Sequence, residues 1–177
     1  STSITNNDFI TFAEGNTGLK FDPYEDYYGS GFITIQASVS SSNGGLGGSQ
    51  VTATITVDPV ADTPSITAAS TLEDNITSSG LVISRNTVDG SEVTHFKITG
   101  ITNGTLYQNN GSTSITNNDF ITFAEGNTGL KFDPDEDYYG SGFITIQASV
   151  SSSNGGLGGS TVIATVTVNS VNDEPSF

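Results

Sequence analysis

The chain has no cysteine, no methionine and no tryptophan among its 177 residues. Without cysteine, no disulfide and no cysteine-based metal site is possible. Basic residues are nearly missing too: Lys20, Arg85, Lys97 and Lys131 face 19 acidic residues, a formal net charge of −15. That balance disfavours nucleic acid and anionic membrane as partners and favours cations. Its plainer reading is solubility alone. No apolar run approaches the ~18 residues of a membrane-spanning helix. No signal peptide is visible, and His95 is the only histidine.

What is present is repetition. Residues 1–57 return as residues 112–168, an offset of 111, with four substitutions: Tyr24/Asp135, Gln50/Thr161, Thr52/Ile163 and Ile55/Val166. A tandem array is expected, whose function belongs to the string of repeats. One period of 111 residues is a normal size for a domain with its own core. The expected organisation is the C-terminal half of a repeat plus linker over 1–60, a complete repeat over 61–170, and the start of the next linker over 171–177. Ser1 falls inside a period, so the chain is expected to be a piece of something longer, without targeting information at its own ends.

Period-two alternation marks strands at Phe32–Val39 and Val51–Val57, at their copies Phe143–Val150 and Val162–Val168, and at Leu81–Ser84, Val93–Ile101, Thr105–Gln108, Phe120–Phe123 and Gly129–Phe132. Asn110-Gly111 between short strands predicts a type I′ hairpin. No helix of useful length is expected. Seven or eight short strands in one period predict an all-β, Greek-key β-sandwich. The Ser- and Gly-rich stretches Ser40–Ser49 and Ser151–Ser160 predict a long flexible loop between the last two strands. They lack the aspartate and the nine-residue repetition of a calcium β-roll. Asp58–Pro64 and Asn169–Pro175 read as Pro-bounded linkers. One N-terminal half (61–111) could complete either C-terminal half. Local closure over 61–168 is expected to win on loop entropy, with pairing to 1–57 as the permuted alternative. Residues 1–57 are then expected to be ordered only if another chain or upstream sequence supplies the missing strands.

The acids gather in three places: Asp22, Glu25 and Asp26 with their copies around Asp133–Asp137; the linkers, with Asp58, Asp62, Asp173 and Glu174; and Glu73-Asp74 with Asp89 and Glu92. Carboxylates on loops suit hard cations such as Ca²⁺, which take six to eight oxygens. The alternative is that these Asp residues make Asx-turns. His95 has no serine–acid context for a triad. The paired carboxylates sit in a repeated motif without a cleft, which argues against glycoside hydrolysis. Tyr27-Tyr28 and Tyr138-Tyr139 could stack on a sugar, or place one ring of each pair in the core. Lys20 and Lys131 lie where alternation points a side chain outward, away from any isopeptide chemistry. Asn75, Asn103 and Asn110 head glycosylation sequons of the kind expected by chance in this composition.

Val171-Asn172-Asp173-Glu174-Pro175 and Val60-Ala61-Asp62-Thr63-Pro64 resemble the V-N-D-x-P junction of bacterial cadherin-like tandem repeats. So do Leu72-Glu73-Asp74, Val88–Glu92, Leu130–Gly140 and the final strand Thr52–Val57. The resemblance covers the whole repeat in motif order. It implies a cadherin/immunoglobulin-like sandwich, an extracellular place on a bacterial cell surface, and a non-enzymatic role in a large adhesin, biofilm protein or surface filament. It also implies Ca²⁺ at inter-repeat junctions, stiffening the rod. Carried over by position, one junction would use Asp22, Glu25, Asp26, Asp62 and Asp89. The next would use Glu73, Asp133, Asp135, Asp137 and Asp173. The chain departs from the pattern at Ser38 and Ser149, where cadherins have an aspartate after the alanine, and at Ala61, where the second copy has Asn172. One ion per junction, or none, is therefore the expectation. Adjacent repeats are the implied partners, with self-association through the incomplete N-terminal half. The alternatives are a self-assembling filament subunit completed by a neighbour's strands, and a carbohydrate- or protein-binding module.

Overall fold

Alternation of β-branched and polar residues gives each extended segment one apolar face, and strands form along all of the predicted stretches. The computed structural model describes residues 3–172 and divides after Pro59 into two compact units. The first holds a helical turn α1 (Phe12–Asn16) and one antiparallel hairpin, β1 (Gly29–Ser38) with β2 (Leu46–Val57).

The second unit is an all-β, Greek-key sandwich. Its strands are β3 (Ser65–Ile66), β4 (Ala69–Leu72), β5 (Ile83–Ser84), β6 (His95–Thr102), β7 (Gly104–Tyr107), β8 (Ser114–Ile115), β9 (Phe120–Thr122), β10 (Lys131–Pro134), β11 (Gly140–Ser149) and β12 (Leu157–Asn169), with a helical turn α2 (Phe123–Asn127) after β9. One sheet has the order β4-β12-β11-β6-β9. The other face combines β10-β7-β8 with the β3-β5 pair. The link is made by Leu130 N–H donating to the Leu81 carbonyl (3.1 Å) and Thr77 N–H to that of Phe132 (2.8 Å). Between the sheets lie Phe96, Phe132, Leu81, Ile98, Leu106, Ile144 and Ile146, all fully buried.

The first strand of this unit changes sheets. β3 pairs antiparallel with β5, and β4 runs parallel to β12. Gly80 makes the crossing possible. Its φ of +92° suits glycine, and a Cβ there would lie 2.6 Å from the Ala68 carbonyl oxygen.

Two local expectations are corrected. The Ser/Gly-rich stretches are not long loops: β11 runs to Ser149 and β12 starts at Leu157. The turn between them is tight, closed by Val150 N–H to the Gly156 carbonyl (2.9 Å) and by Ser149 Oγ to that of Ser151 (2.6 Å). Asn110-Gly111 is not a type I′ turn. Only Gly111 is left-handed (φ +67°), while Asn110 Oδ1 accepts from Ser112 N–H (3.0 Å) and Thr113 N–H (2.9 Å), folding a wider loop. Each Thr-Phe-Ala-Glu sequence forms a capping box: Thr122 Oγ1 accepts from Glu125 N–H while Glu125 Oε2 accepts from Thr122 N–H (2.7 Å).

The two copies share their local structure and differ in burial. The capping box, the bulge in the hairpin and the Gln-to-glycine bond (Gln36 Nε2 to Gly48 O, Gln147 Nε2 to Gly159 O, both 2.9 Å) occur in each. Yet Phe132 is 0% exposed and Phe21 41%, and Ile146 is 0% exposed and Ile35 57%. Within the second unit, 60–111 supplies the covering strands. Residues 3–57 thus hold their turns and hairpin, while the apolar positions of that half remain open.

Candidate functional site

The candidate acids of the sandwich fall near the two ends of β12. At the start of β12, Ala61 lies against Gly158, where a Cβ would meet the Ala61 carbonyl oxygen at 2.2 Å. Ser160 N–H donates to Thr63 Oγ1 (2.8 Å), which fixes the linker on that strand. Asp62, half-buried, then presents its N–H to both oxygens of Asp89, at 3.1 and 3.3 Å. Burial pushes the Asp89 carboxyl above its ordinary value. The Asp62 N–H opposes this, and the charges of Asp62 and Glu92 add to it. Asn86 ties the same corner down, its Nδ2 donating to the Thr63 carbonyl (3.2 Å).

At the other end, where β12 leaves the sandwich, Glu73 is buried. Its backbone N–H donates to the Asn169 carbonyl (2.9 Å), and its Oε1 accepts from Val171 N–H. Asp74 beside it is left-handed (φ +58°), and its Oδ1 accepts from Asp137 N–H (3.0 Å). Asp137 is also left-handed (φ +56°), in a turn closed by Tyr138 N–H to the Asp135 carbonyl (3.0 Å). Asp133 is half-buried on β10 opposite Thr105, and Asp135 N–H donates to the Asn103 carbonyl (3.2 Å). Glu73, Asp133, Asp135 and Asp137 therefore lie at one end. Asp173, named with them, lies outside the described residues. Asp74 is not in the carried-over set, although it links the 72–75 turn to the 135–138 turn. Its signal in the sequence is the Glu73-Asp74 pair itself.

Asp22, Glu25 and Asp26 belong to the first unit and are exposed, with Asp26 left-handed (φ +59°) like Asp137. Asp62 and Asp89 belong to the second. Among the described residues, no three acidic or histidine side chains converge closely enough to hold a metal ion. The donor set that each end offers is all oxygen, carboxylate and backbone carbonyl, which is the chemistry Ca²⁺ takes.

The remaining sequence candidates take structural places. Tyr138 packs against the core, its hydroxyl donating to the Ser141 carbonyl (2.9 Å) and accepting from Asn103 Nδ2 (2.8 Å), while Tyr139 is exposed. His95 Nδ1 meets the Thr94 hydroxyl at 2.8 Å on β6. The Lys131 ammonium donates to the Ser78 carbonyl. Among the described residues no helix is long and apolar enough to cross a membrane. No known family model matches the chain, and no curated protein matches it.

Proposed function

We propose that this chain is a non-enzymatic structural repeat of a large extracellular bacterial adhesin or surface filament, giving extension and calcium-dependent rigidity. The observation that carries the reading is the recurrence of a near-identical half after 111 residues, with a sandwich closed around the second copy. Repeats of that kind do their work as a string. The cadherin-like motifs favour the same role, and so does the placing of acids at opposite ends of β12, where neighbouring repeats would follow one another. With a net charge of −15, such ends repel until a cation neutralises them. Glu73, Asp133, Asp135 and Asp137 with Asp173 at one junction, and Asp22, Glu25, Asp26, Asp62 and Asp89 at the other, would supply carboxylate oxygens. The bound ion would add a cross-link between repeats and remove the repulsion. An affinity of roughly 10⁻⁴–10⁻³ M suits an extracellular module.

Thermal unfolding by circular dichroism in EGTA, then across micromolar to ten-millimolar Ca²⁺ with Mg²⁺ as control, tests this. A midpoint that climbs with Ca²⁺ and not with Mg²⁺ is expected. An unchanged midpoint would leave the acids as turn chemistry and the chain as a calcium-independent spacer.

A further inference from the structure

Three of the chain's five prolines follow an aspartate: Asp22-Pro23, Asp58-Pro59 and Asp133-Pro134. The dipeptide has a chemistry of its own. Proline's nitrogen belongs to a tertiary amide, which takes a proton more readily than an ordinary peptide nitrogen. The aspartate carboxylate can also reach its own carbonyl carbon by closing a small ring, so the attack is intramolecular. Whether such a bond reacts then depends on whether the backbone around it can leave its native geometry.

The three bonds differ in that respect. Asp133-Pro134 lies in β10, with Asp133 opposite Thr105 and Pro134 opposite Gly104. Pro134 is buried, and a Cβ on Gly104 would collide with the Asp133 carbonyl oxygen. The carbonyl that would be attacked is thus pressed against β7, with no room for a tetrahedral carbon, and reacts only after the strand opens. Asp58-Pro59 stands just past the end of β2 at Val57, outside every strand, with Asp58 exposed. Ala61 and Thr63 are held on β12, by the close approach to Gly158 and by Ser160 N–H, so the fold of the sandwich begins after this bond. Asp22-Pro23 is also exposed and outside every strand. Residue 58 is moreover where the two copies part: Asn169 and Ser170 match Asp58 and Pro59, and have neither the carboxyl nor the proline.

We propose that Asp58-Pro59 is a self-cleaving joint, at which mild acid severs the chain while the sandwich stays folded. An Asp58 carboxylate oxygen bonds to the Asp58 carbonyl carbon. The Pro59 nitrogen takes a proton from the medium, and the C–N bond breaks with its electron pair going to that nitrogen. The products are a cyclic anhydride of Asp58 and a chain that begins at Pro59. One water then opens the anhydride, restoring the side-chain carboxyl and leaving a C-terminal one. The cut is independent of the calcium-dependent role proposed above. Asn169-Ser170, without these groups, stays joined.

The test incubates the unaltered chain from about pH 5 down to about pH 3, a range spanning the ordinary aspartate value. Samples are taken while circular dichroism keeps the native strand signal. Mass spectrometry of the intact fragments counts the three cuts separately, since each bond gives products of its own mass. Cleavage at Asp58-Pro59 is expected to be at least about 10-fold faster than at Asp133-Pro134, the protection conferred by a modest strand-opening free energy. The melting midpoint of the sandwich should not move as the cut accumulates. Asp58→Asn with Pro59→Ser, which writes the second junction into the first, should abolish this cut and leave the one at Asp22-Pro23 unchanged. An Asp58-Pro59 bond that stays intact throughout would overturn the inference. So would equal rates at Asp58-Pro59 and Asp133-Pro134 under the native signal, a midpoint that falls with the cut, or cleavage after residue 58 that survives in the variant.

Discussion

Phe21 and Phe132 are the same residue in the same nine-residue context, apart from the Tyr24/Asp135 difference, and they provide an internal control for how the fold closes. Phe132 is fully buried, with two stretches of backbone against the tip of its ring: a Cβ at Gly104 would lie 2.5 Å from it, and one at Gly142 2.6 Å. Backbone walls collapse poorly into a cavity, so Phe132→Ala should fall in the usual range for a buried phenylalanine, about 3–5 kcal/mol. Phe21, 41% exposed, keeps only the equivalent of the Gly142 contact, at Gly31, where a Cβ would lie 3.0 Å from its ring. Its truncation should remove at most about 1 kcal/mol from its own unit and leave the sandwich unaffected, since separate sites without shared partners act independently. In urea, with a slope of about 2 kcal/mol/M for a domain of this size, Phe132→Ala should move the sandwich midpoint down by roughly 2 M. Phe21→Ala should leave it in place. Equal losses from the two variants would refute the pairing of 60–111 with 112–168.

Four further outcomes follow from particular contacts. Gly80→Ala forces a left-handed alanine against the Ala68 carbonyl and should destabilise the sandwich by about 1–3 kcal/mol, read from its denaturant midpoint. Glu73→Ala leaves Val171 N–H without its acceptor and should lower the thermal midpoint through a loss of about 1–3 kcal/mol, whereas Glu73→Gln, which keeps an oxygen there, should lose less. The Glu125 carboxyl is held below its ordinary value by Thr122 N–H first and then by the Thr122 hydroxyl, with Gln108 adding. Its contribution is therefore present above the unfolded carboxylate value of 4.5 and lost as pH falls through the lowered folded value. Thr122→Ala should cost about 1 kcal/mol at neutral pH and flatten that acid limb in a pH-dependent melting series. Asp89 has the opposite sign: its raised folded value favours the protonated form, so its ionisation opposes folding as pH rises through that value. Asp89→Asn keeps an oxygen for Asp62 N–H and should raise the melting midpoint at neutral pH in EGTA; a fall would refute the sign.

The fold is readable where information is local or alternating. The strand set and the sandwich follow from period two and from the nature of the side chains, and so does the one-in, one-out arrangement of Tyr138-Tyr139, whereas Tyr27 and Tyr28 are both exposed. The turns are readable only in part. Thr122-x-x-Glu125 carries a capping-box signal, but one helical turn gives no periodicity to notice. Asn110-Gly111 misleads because the Asn110 side chain folds the loop through hydrogen bonds to residues 112 and 113, a choice the dipeptide alone does not fix. The Ser/Gly-rich stretch looks pliant by composition, yet its serine hydroxyls satisfy the backbone of a tight turn. The ends of the sandwich are the hardest to foresee. That Glu73 is buried and Asp74 binds Asp137 N–H depends on where β12 exits, a contact across 98 residues from Glu73 to Val171. Which of two near-identical halves is covered follows from connectivity rather than from side chains, and the local closure expected from loop entropy, 61–111 on 112–168, is the pairing formed.

The parallel pairing of β4 with β12 has a mechanical consequence. The segment enters the sandwich near the start of β12 and leaves from the end of it, while β4 runs in the same direction alongside, Ala69 opposite Val166 through Leu72 opposite Asn169. Tension applied between residues 60 and 172 pulls these two strands past each other along their length. The ladder is then loaded in shear, its hydrogen bonds sharing the force and having to fail together. A hairpin pulled open from one end would instead release them one at a time. A sandwich joined in this way resists stretching more than its thermodynamic stability alone would suggest.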